Sequence, residues 1–248
     1  MNAQREPAIL VVDDERDIRE NLRDILTDLG YAVDVAGDGP SALELVQAKH
    51  YDVALLDLRM PGMDGLELYR RIKELRSGTV AIIVTAYATA ETTRDALEAG
   101  AWKIVAKPVD FHYVMGLIGE VLDQPVVLLI DDDVDLCHSL WDVLRDKGYR
   151  VCVAHDAQQA AALLAAQPFK VVLIDMKLPH GDGADVFHLV RQAHPDTRTV
   201  LITGFRGELE RKLDTIVEAG ADAVCFKPFD VEQLLQTITR LATGSADA

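Results

Sequence analysis

The chain has 248 residues and a formal net charge of −16. Both halves are acidic, since residues 1–124 hold 13 basic against 22 acidic side chains and residues 125–248 hold 12 against 19. Because nucleic-acid phosphates are bound by basic surfaces, this charge argues against direct nucleic-acid binding. No apolar run approaches the roughly 18 residues that a membrane helix needs, so we expect no membrane partner and a cytoplasmic location.

The first half opens with a predicted buried strand. The apolar run 8–12 ends in Asp13 and Asp14, and apolar residues then recur at helical spacing as far as Gly30, which predicts a strand followed by an amphipathic helix. The same alternation predicts strands near 31–36, 53–57, 80–84 and 103–106, and helices near 39–49, 65–76, 90–99 and 110–122. Continuous β-branched runs separated by helices are typical of a parallel sheet covered on both faces.

The second half repeats this order from Val126 to about residue 241. A repeat of this size predicts two domains, which we place at residues 1–122 and 126–242, with a short linker at 123–125 and a flexible tail at 243–248. The linker is short and contains Pro125, so we expect the domains to hold a restricted mutual orientation. Each set of five βα units resembles the α/β flavodoxin-like doubly wound fold, with a parallel sheet in the order 2-1-3-4-5.

Polar residues follow the predicted strands at their carboxyl ends, and the same set occurs in both halves. The first set comprises Asp13, Asp14, Asp57, Thr85 and Lys107, and the second comprises Asp131, Asp132, Asp175, Thr203 and Lys227. Three corresponding positions (131 and 13, 175 and 57, 203 and 85) are separated by 118 residues. Because ligands bind outside the carboxyl ends of the strands in open α/β sheets, each set is expected to gather at one sheet edge.

These residue types together favour metal-assisted phosphoryl chemistry. Three carboxylates at one edge repel one another unless a cation compensates their charge. Oxygen ligands with open positions suit Mg²⁺ or Mn²⁺, which phosphate oxygens usually complete, so we expect one such ion per domain. Asp57 and Asp175 are candidate nucleophiles that would form an aspartyl phosphate. The lysine and the threonine hydroxyl would position the phosphoryl group and neutralise its charge.

The motifs around these residues carry a family resemblance. The first half contains LVVDDE at 10–15, LLDLRMPGMDG at 55–65, IVTA at 83–86 and AKP at 106–108. The second contains LIDDD at 129–133, IDMKLPHGDG at 174–183, ITG at 202–204 and FKP at 226–228. As an ordered set they resemble two tandem response-regulator receiver domains of bacterial two-component signalling.

This resemblance implies roles for individual residues. It makes Asp57 and Asp175 the phosphoacceptors, and it implies a cis peptide before Pro108 and Pro228. The implied metal ligands are Asp13, Asp14, Asp57 and the carbonyl of Arg59 in the first domain, and Asp131, Asp132, Asp175 and the carbonyl of Lys177 in the second.

The resemblance also implies partners. The phosphoryl donor would be a histidine kinase or a histidine phosphotransfer protein, and a downstream protein would read the altered surface. A homodimer through the face formed by helix 4, strand 5 and helix 5 is a further candidate, and Gly116 and Gly119 in that last helix suggest close approach of another backbone. We expect no enzyme activity beyond self-catalysed phosphoryl transfer and dephosphorylation.

Four features depart from the family pattern or from the internal repeat. Ile104 and Val224 occupy the position three before the lysine, where receivers commonly carry an aromatic ring. Aromatic rings stand two residues beyond each threonine, at Tyr87 and Phe205, and we hypothesise that they cover the phosphoryl site and slow attack by water. In helix 1, Arg19 and Arg23 correspond to Cys137 and Trp141, which suggests that Trp141 marks either a partner surface or the seam with the first domain. His180 in the second motif loop is expected to be exposed to solvent.

Other functions remain alternatives at this point. The chain could be the receiver portion of a longer regulator or hybrid kinase, or an interaction scaffold that signals without phosphorylation. A Mg²⁺-dependent phosphohydrolase is disfavoured, because haloacid-dehalogenase enzymes carry Asp-x-Asp on the first strand, whereas Asp13 and Asp14 are adjacent. No basic helix-turn-helix and no P-loop motif occurs in the sequence, so a DNA-binding or ATPase output within these residues is not expected.

Overall fold

A computed structural model describes residues 5–179, 181–204 and 220–244 of the chain. His180, Phe205 and the predicted tail residues 245–248 lie outside the described residues. The chain divides into two compact units between Gln124 and Pro125. Within the described ranges, no helix is long and apolar enough to cross a membrane.

The first unit is a five-stranded parallel sheet with helices between the strands. Its elements are β1 (Ala8–Val12), α1 (Arg16–Asp28), β2 (Ala32–Ala36), α2 (Gly39–Ala48), β3 (Val53–Asp57), α3 (Gly65–Leu75), β4 (Val80–Thr85), α4 (Ala90–Glu98), β5 (Lys103–Ala106) and α5 (Phe111–Leu122). The strand order is β2-β1-β3-β4-β5. This confirms the predicted doubly wound order and the predicted positions of the strands.

The second unit repeats this architecture. Its elements are β6 (Val126–Ile130), α6 (Val134–Asp146), β7 (Arg150–Ala154), α7 (Ala157–Ala166), β8 (Val171–Asp175), β9 (Lys177–Leu178), β10 (Gly181–Asp182), α8 (Gly183–Ala193), β11 (Arg198–Thr203), β12 (Ala223–Phe226) and α9 (Val231–Thr243). The main sheet has the order β7-β6-β8-β11-β12, which is again 2-1-3-4-5. The short antiparallel pair β9 and β10 was not predicted from the sequence.

The central strands are apolar along their whole length because both faces of each sheet are covered. In β1, Leu10 and Val12 belong to one buried cluster, while Ile9 and Val11 belong to another on the opposite face. Successive side chains of a strand point to opposite faces, so a strand between two helical layers needs apolar residues at every position. This packing holds the carboxyl ends of the strands at one edge.

Helix α1 shows how the local sequence shapes these layers. It buries Leu22 and Leu26 against the sheet, in agreement with the predicted apolar stripe. It is followed by Gly30, whose φ of +88° lies in the left-handed region that glycine adopts without strain. The chain can therefore turn back directly into β2.

Trp141 is buried, so the predicted partner surface at this residue is wrong. Its side chain belongs to the core of the second unit, only 5% exposed, and the indole Nε1 donates a hydrogen bond to the Val151 carbonyl oxygen at 3.1 Å. Cys137, one turn earlier, is a free thiol that is 1% exposed. Helix α6 thus buries a wider face than α1, where Arg23 pairs with Glu20 at the surface.

The two glycines of α5 have no close neighbour among the described residues. A Cβ added at Gly116 or at Gly119 would meet no atom within 4 Å, apart from the backbone of the helix itself. No backbone within the described part of the first unit therefore accounts for these two glycines. A homodimer at this face stays a prediction.

Candidate functional site

The sheet register brings the predicted site residues of the first unit to one edge. Strands β3 and β4 run parallel with Asp57 opposite Val84, so the acid at the end of β3 lies beside Thr85 at the end of β4. Helix α3 begins at Gly65, where an added Cβ would lie 2.2 Å from the Asp57 carbonyl oxygen. Glycine therefore permits the helix to start directly against the strand that carries the acid.

Three acidic side chains converge at this edge. One carboxylate oxygen from each of Asp13, Asp14 and Asp57 lies within 4.8 Å of the others. Asp13 is 3% and Asp57 is 7% exposed, whereas Asp14 faces solvent. The set is thus two buried acids with an open side.

The second unit holds the same cluster. Its members are Asp131, Asp132 and Asp175, with the same pattern of two buried acids and one exposed acid, and their oxygens again lie within 4.8 Å of one another. Gly183 allows the same close approach, because a Cβ there would lie 2.4 Å from the Asp175 carbonyl oxygen. The predicted gathering of both acidic sets is confirmed.

One lysine in each unit bridges the two buried acids. Lys107 Nζ lies 2.7 Å from Asp13 Oδ2 and 3.0 Å from Asp57 Oδ2. Lys227 Nζ lies 2.7 Å from Asp131 Oδ2 and 2.6 Å from Asp175 Oδ2. Burial acts to lower the pKa of each lysine, but the hydrogen bonds and charges of the acids outweigh it and raise that pKa. Both lysines are therefore firmly cationic.

The positive charge of the lysine does not fully compensate the burial and mutual repulsion of the carboxylates. Burial raises the pKa of the Asp57 carboxyl, and the charge of Asp13 adds to this effect against the opposing influence of Lys107. In the second unit, burial and the charge of Asp175 raise the pKa of Asp131. A carboxylate in this position gains from a further cation nearby. Three carboxylate oxygens with an open side fit the hard, oxygen-ligated ions Mg²⁺ and Mn²⁺.

Backbone groups fix the orientation of the buried acids. Asp57 Oδ1 accepts a hydrogen bond from the Arg59 amide at 3.3 Å, and Asp175 Oδ1 accepts one from the Lys177 amide at 2.8 Å. The structure therefore places Arg59 and Lys177 directly beside the two acids. Metal coordination by their carbonyls stays a prediction.

The threonines and the Lys-Pro turns complete each edge. Thr85 and Thr203 are fully buried at the ends of β4 and β11. The Lys107 amide donates to the Thr85 carbonyl at 2.8 Å, and the Lys227 amide donates to the Thr203 carbonyl at 2.7 Å. The peptides before Pro108 and Pro228 are cis, as predicted.

Aliphatic residues stand three positions before each lysine, where an aromatic ring was expected. Ile104 lies on β5 and packs against one core cluster of the first unit, while Val224 lies on β12 and packs against a core cluster of the second. Both side chains are half-buried. The edge strand of each sheet therefore carries an aliphatic group at this position instead of an aromatic ring.

Sequence reasoning missed the groups that support the backbone of the first acid in each cluster. In the first unit, the Arg19 guanidinium donates to the Asp13 carbonyl oxygen. In the second, the Asp131 carbonyl oxygen accepts from the Cys137 thiol at 3.4 Å and lies 3.0 Å from His155 Nδ1. Burial and the surrounding acids raise the pKa of the Cys137 thiol to about 12, so it stays neutral. The 118-residue offset pairs Gly37 with His155, and this second exchange was the signal that could have revealed the contact.

Comparison with known proteins gives consistent results for both halves. A family model described as "Response regulator receiver domain" matches residues 9–118 and 127–239. A response regulator receiver protein of Anaeromyxobacter sp. (strain Fw109-5) is 29% identical over 232 residues, which cover 94% of each chain.

Two further matches cover one unit each. The transcriptional regulatory protein ZraR of Klebsiella oxytoca is 39% identical over 114 residues, or 46% of this chain and 26% of that protein. A crystal structure of a CheY-like receiver domain from Methanospirillum hungatei is 35% identical, with a TM-score of 0.46, and covers 48% of this chain and 94% of that one.

Proposed function

The chain belongs to the response regulator receiver family through both of its halves, and we propose that each unit accepts a phosphoryl group on one aspartate. The acceptors are Asp57 and Asp175, and the donor is a histidine kinase or a histidine phosphotransfer protein. The observation that carries this proposal is the bridging lysine, whose ammonium lies within 3.0 Å of both buried acids in each unit.

The side chains support transfer to a carboxylate in a specific way. The Asp57 carboxylate is the nucleophile, and its orientation is held by the Arg59 amide on one oxygen and by Lys107 on the other. Lys107 is also placed to neutralise charge on a transferred phosphoryl group, and Thr85 offers a hydroxyl at the neighbouring strand end. Phosphoryl transfer depends mainly on such positioning and charge neutralisation.

A divalent cation is the expected cofactor of each site. Asp13, Asp14 and Asp57 would hold it in the first unit, with the Arg59 carbonyl, and Asp131, Asp132 and Asp175 in the second, with the Lys177 carbonyl. When bound, Mg²⁺ or Mn²⁺ supplies positive charge to the phosphoryl oxygens. The open side at Asp14 and Asp132, which are exposed, leaves room for these oxygens.

The output of the switch is a change in protein–protein contacts. Beyond self-catalysed phosphoryl transfer and dephosphorylation, we propose no enzyme activity. The strong negative charge of both halves supports a protein partner over a nucleic acid. The same two sites would serve equally in a chain that forms the receiver portion of a longer regulator.

Incubation with acetyl phosphate and Mg²⁺, followed by intact-mass measurement, tests the proposal. The unmodified sequence is expected to gain two phosphoryl groups, Asp57→Ala and Asp175→Ala one each, and the double variant none. Asp28→Ala, which removes an exposed carboxylate near the end of α1, is the matched control and should still gain two. Lys107→Met should lose the group at Asp57 and keep the one at Asp175. Absence of any gain in the unmodified chain would support the phosphorylation-independent scaffold instead.

A further inference from the structure

The two acidic clusters are matched in their own side chains but differ in what lies behind them. In the first unit, the carbonyl oxygen of Asp13 is held by the guanidinium of Arg19 from α1. In the second, the equivalent carbonyl of Asp131 is held by a thiol from α6 and an imidazole that follows β7. The same backbone oxygen is therefore satisfied by a cation in one unit and by Cys137 and His155, which bring no fixed positive charge, in the other.

The exchange involves two positions that depend on each other. A Cβ built at Gly37 would lie 3.3 Å from Arg19 Nη1, so the glycine leaves the space that the guanidinium occupies. At the corresponding position of the second unit, the His155 side chain enters this space and approaches the carbonyl itself. The short Cys137 side chain donates the second hydrogen bond to the Asp131 carbonyl, whereas the Asp13 carbonyl receives its hydrogen bond from the long Arg19 side chain. The buried carbonyl of the first acid needs a hydrogen-bond donor in both units. The first unit provides it with the pair Arg19 and Gly37, and the second with the pair Cys137 and His155.

One acid close to Arg19 also recurs in the second unit. The hydrogen bonds of Ser41 lower the pKa of Asp38, and the charge of Arg19 adds to this lowering, which places the guanidinium charge close enough to act on neighbouring carboxylates. Asp38 has its counterpart in Asp156, which likewise caps the helix that follows. Asp38 and the three clustered acids thus recur in the second repeat, while the cation of Arg19 does not.

We propose that Arg19 sets the divalent-cation affinity of the first site, and makes that affinity weaker than it would be without the guanidinium charge. This inference rests on the proposed function, because it concerns the ion that the three carboxylates would bind. A cation bonded to the backbone of a metal-ligand residue repels the incoming metal ion. For a divalent ion and one screened unit charge, the expected change in dissociation constant is about threefold to tenfold.

Direct titration with Mn²⁺ tests this in the full chain. In an Asp132→Ala background, which removes the exposed acid of the second cluster, the first site is the one left intact. Free Mn²⁺ is followed by electron paramagnetic resonance at pH 8 and low ionic strength. Arg19→Gln removes the charge and keeps a donor, whereas Arg19→Lys keeps the charge and serves as the matched control. Both changes lie on a half-buried helix position and should leave the fold intact.

The expected result is a dissociation constant about threefold to tenfold lower for Arg19→Gln, with Arg19→Lys close to the parent. The transplanted pair Arg19→Cys with Gly37→His should show the same gain. If neither charge-removing variant binds Mn²⁺ more tightly, or if Arg19→Lys shows an equal gain, the inference is overturned. If the first site binds no Mn²⁺ in the parent or in any variant, both this inference and the proposed metal-dependent function are contradicted. If Mn²⁺ binds but its dissociation constant does not change with the substitutions at residue 19, only this inference is contradicted and the proposed function is not.

Discussion

The guanidinium of Arg59 lies over the ring of Tyr87, with its central carbon 4.0 Å from the ring centroid. Arg59 follows Asp57 by two residues, and Tyr87 follows Thr85 by two, so the contact joins the loops that leave two neighbouring strands. The Tyr87 amide donates to Thr85 Oγ1 at 3.1 Å. The ring itself is 52% exposed. This pair therefore lies beside the first acidic site, where it can restrict the approach of water.

We expect Tyr87→Ala to shorten the lifetime of an aspartyl phosphate at Asp57. Loss of the ring opens one side of the site to solvent and also releases Arg59, so hydrolysis should accelerate by about threefold to tenfold. The decay is followed by intact mass in an Asp175→Ala background. Tyr87→Phe keeps the ring over the guanidinium and is the control. An unchanged lifetime in Tyr87→Ala would show that the ring does not shield the site.

Trp141→Ala should destabilise the second unit by about 3–5 kcal/mol, because it empties a buried site and leaves the Val151 carbonyl without the indole donor. Its counterpart Arg23→Ala, at a surface position of α1, should change stability by no more than about 0.5 kcal/mol. Hydrogen exchange of amides within each unit measures the two effects separately. Equal protection in the Trp141→Ala variant and the parent would contradict the structural role of the indole.

Gly116→Ala should stabilise the first unit by about 0.5–1 kcal/mol. The residue lies inside α5 with open space around its Cα, so alanine gains helix propensity without a clash. Gly65→Ala is the opposite case, since its Cβ would meet the Asp57 carbonyl oxygen at 2.2 Å. We expect that change to destabilise the unit and to displace the acid. Urea unfolding of both variants checks the signs, and a destabilised Gly116→Ala would indicate that another surface covers α5 in solution.

His50 should make the first unit less stable in mild acid. Burial lowers its pKa from 6.5 to about 4, and the charges of Arg76 and Arg5 add to this against the influence of Asp52. The unfolded chain therefore binds a proton between these values while the folded chain does not, so stability falls as the pH drops through this window.

His50→Gln should remove this part of the pH dependence. Between pH 7 and pH 5 the variant is expected to lose about 1 kcal/mol less stability than the parent, because solvent screening at this half-buried site reduces the effect. Urea unfolding at the two pH values gives the difference directly. His112→Gln, which replaces an exposed histidine of α5 in the same unit, is a control for general histidine effects. Identical losses in His50→Gln and the parent would show that His50 does not cause this pH dependence.

The strands and the composition of both acidic sites can be predicted from local sequence pattern. Apolar runs such as 8–12 and 53–56 are long enough for strands and too short for helices, and an acid follows each run directly, Asp13 after the first and Asp57 after the second. Since parallel strands place their carboxyl ends together, the order of motifs along the chain already determined that Asp13, Asp57 and Lys107 would meet. The 118-residue spacing then determined a second site of the same composition.

Tertiary structure alone decided what surrounds those sites. Helical periodicity indicates which face of α6 is apolar, but not how wide a face the sheet covers, so the burial of Trp141 depended on the packing of α6 against β7. The support of the Asp131 carbonyl by His155 joins residues 24 apart in the chain, and no local propensity encodes such a contact. The sequence thus determined two acidic sites of the same composition, while tertiary packing decided which side chains support the backbone of each site.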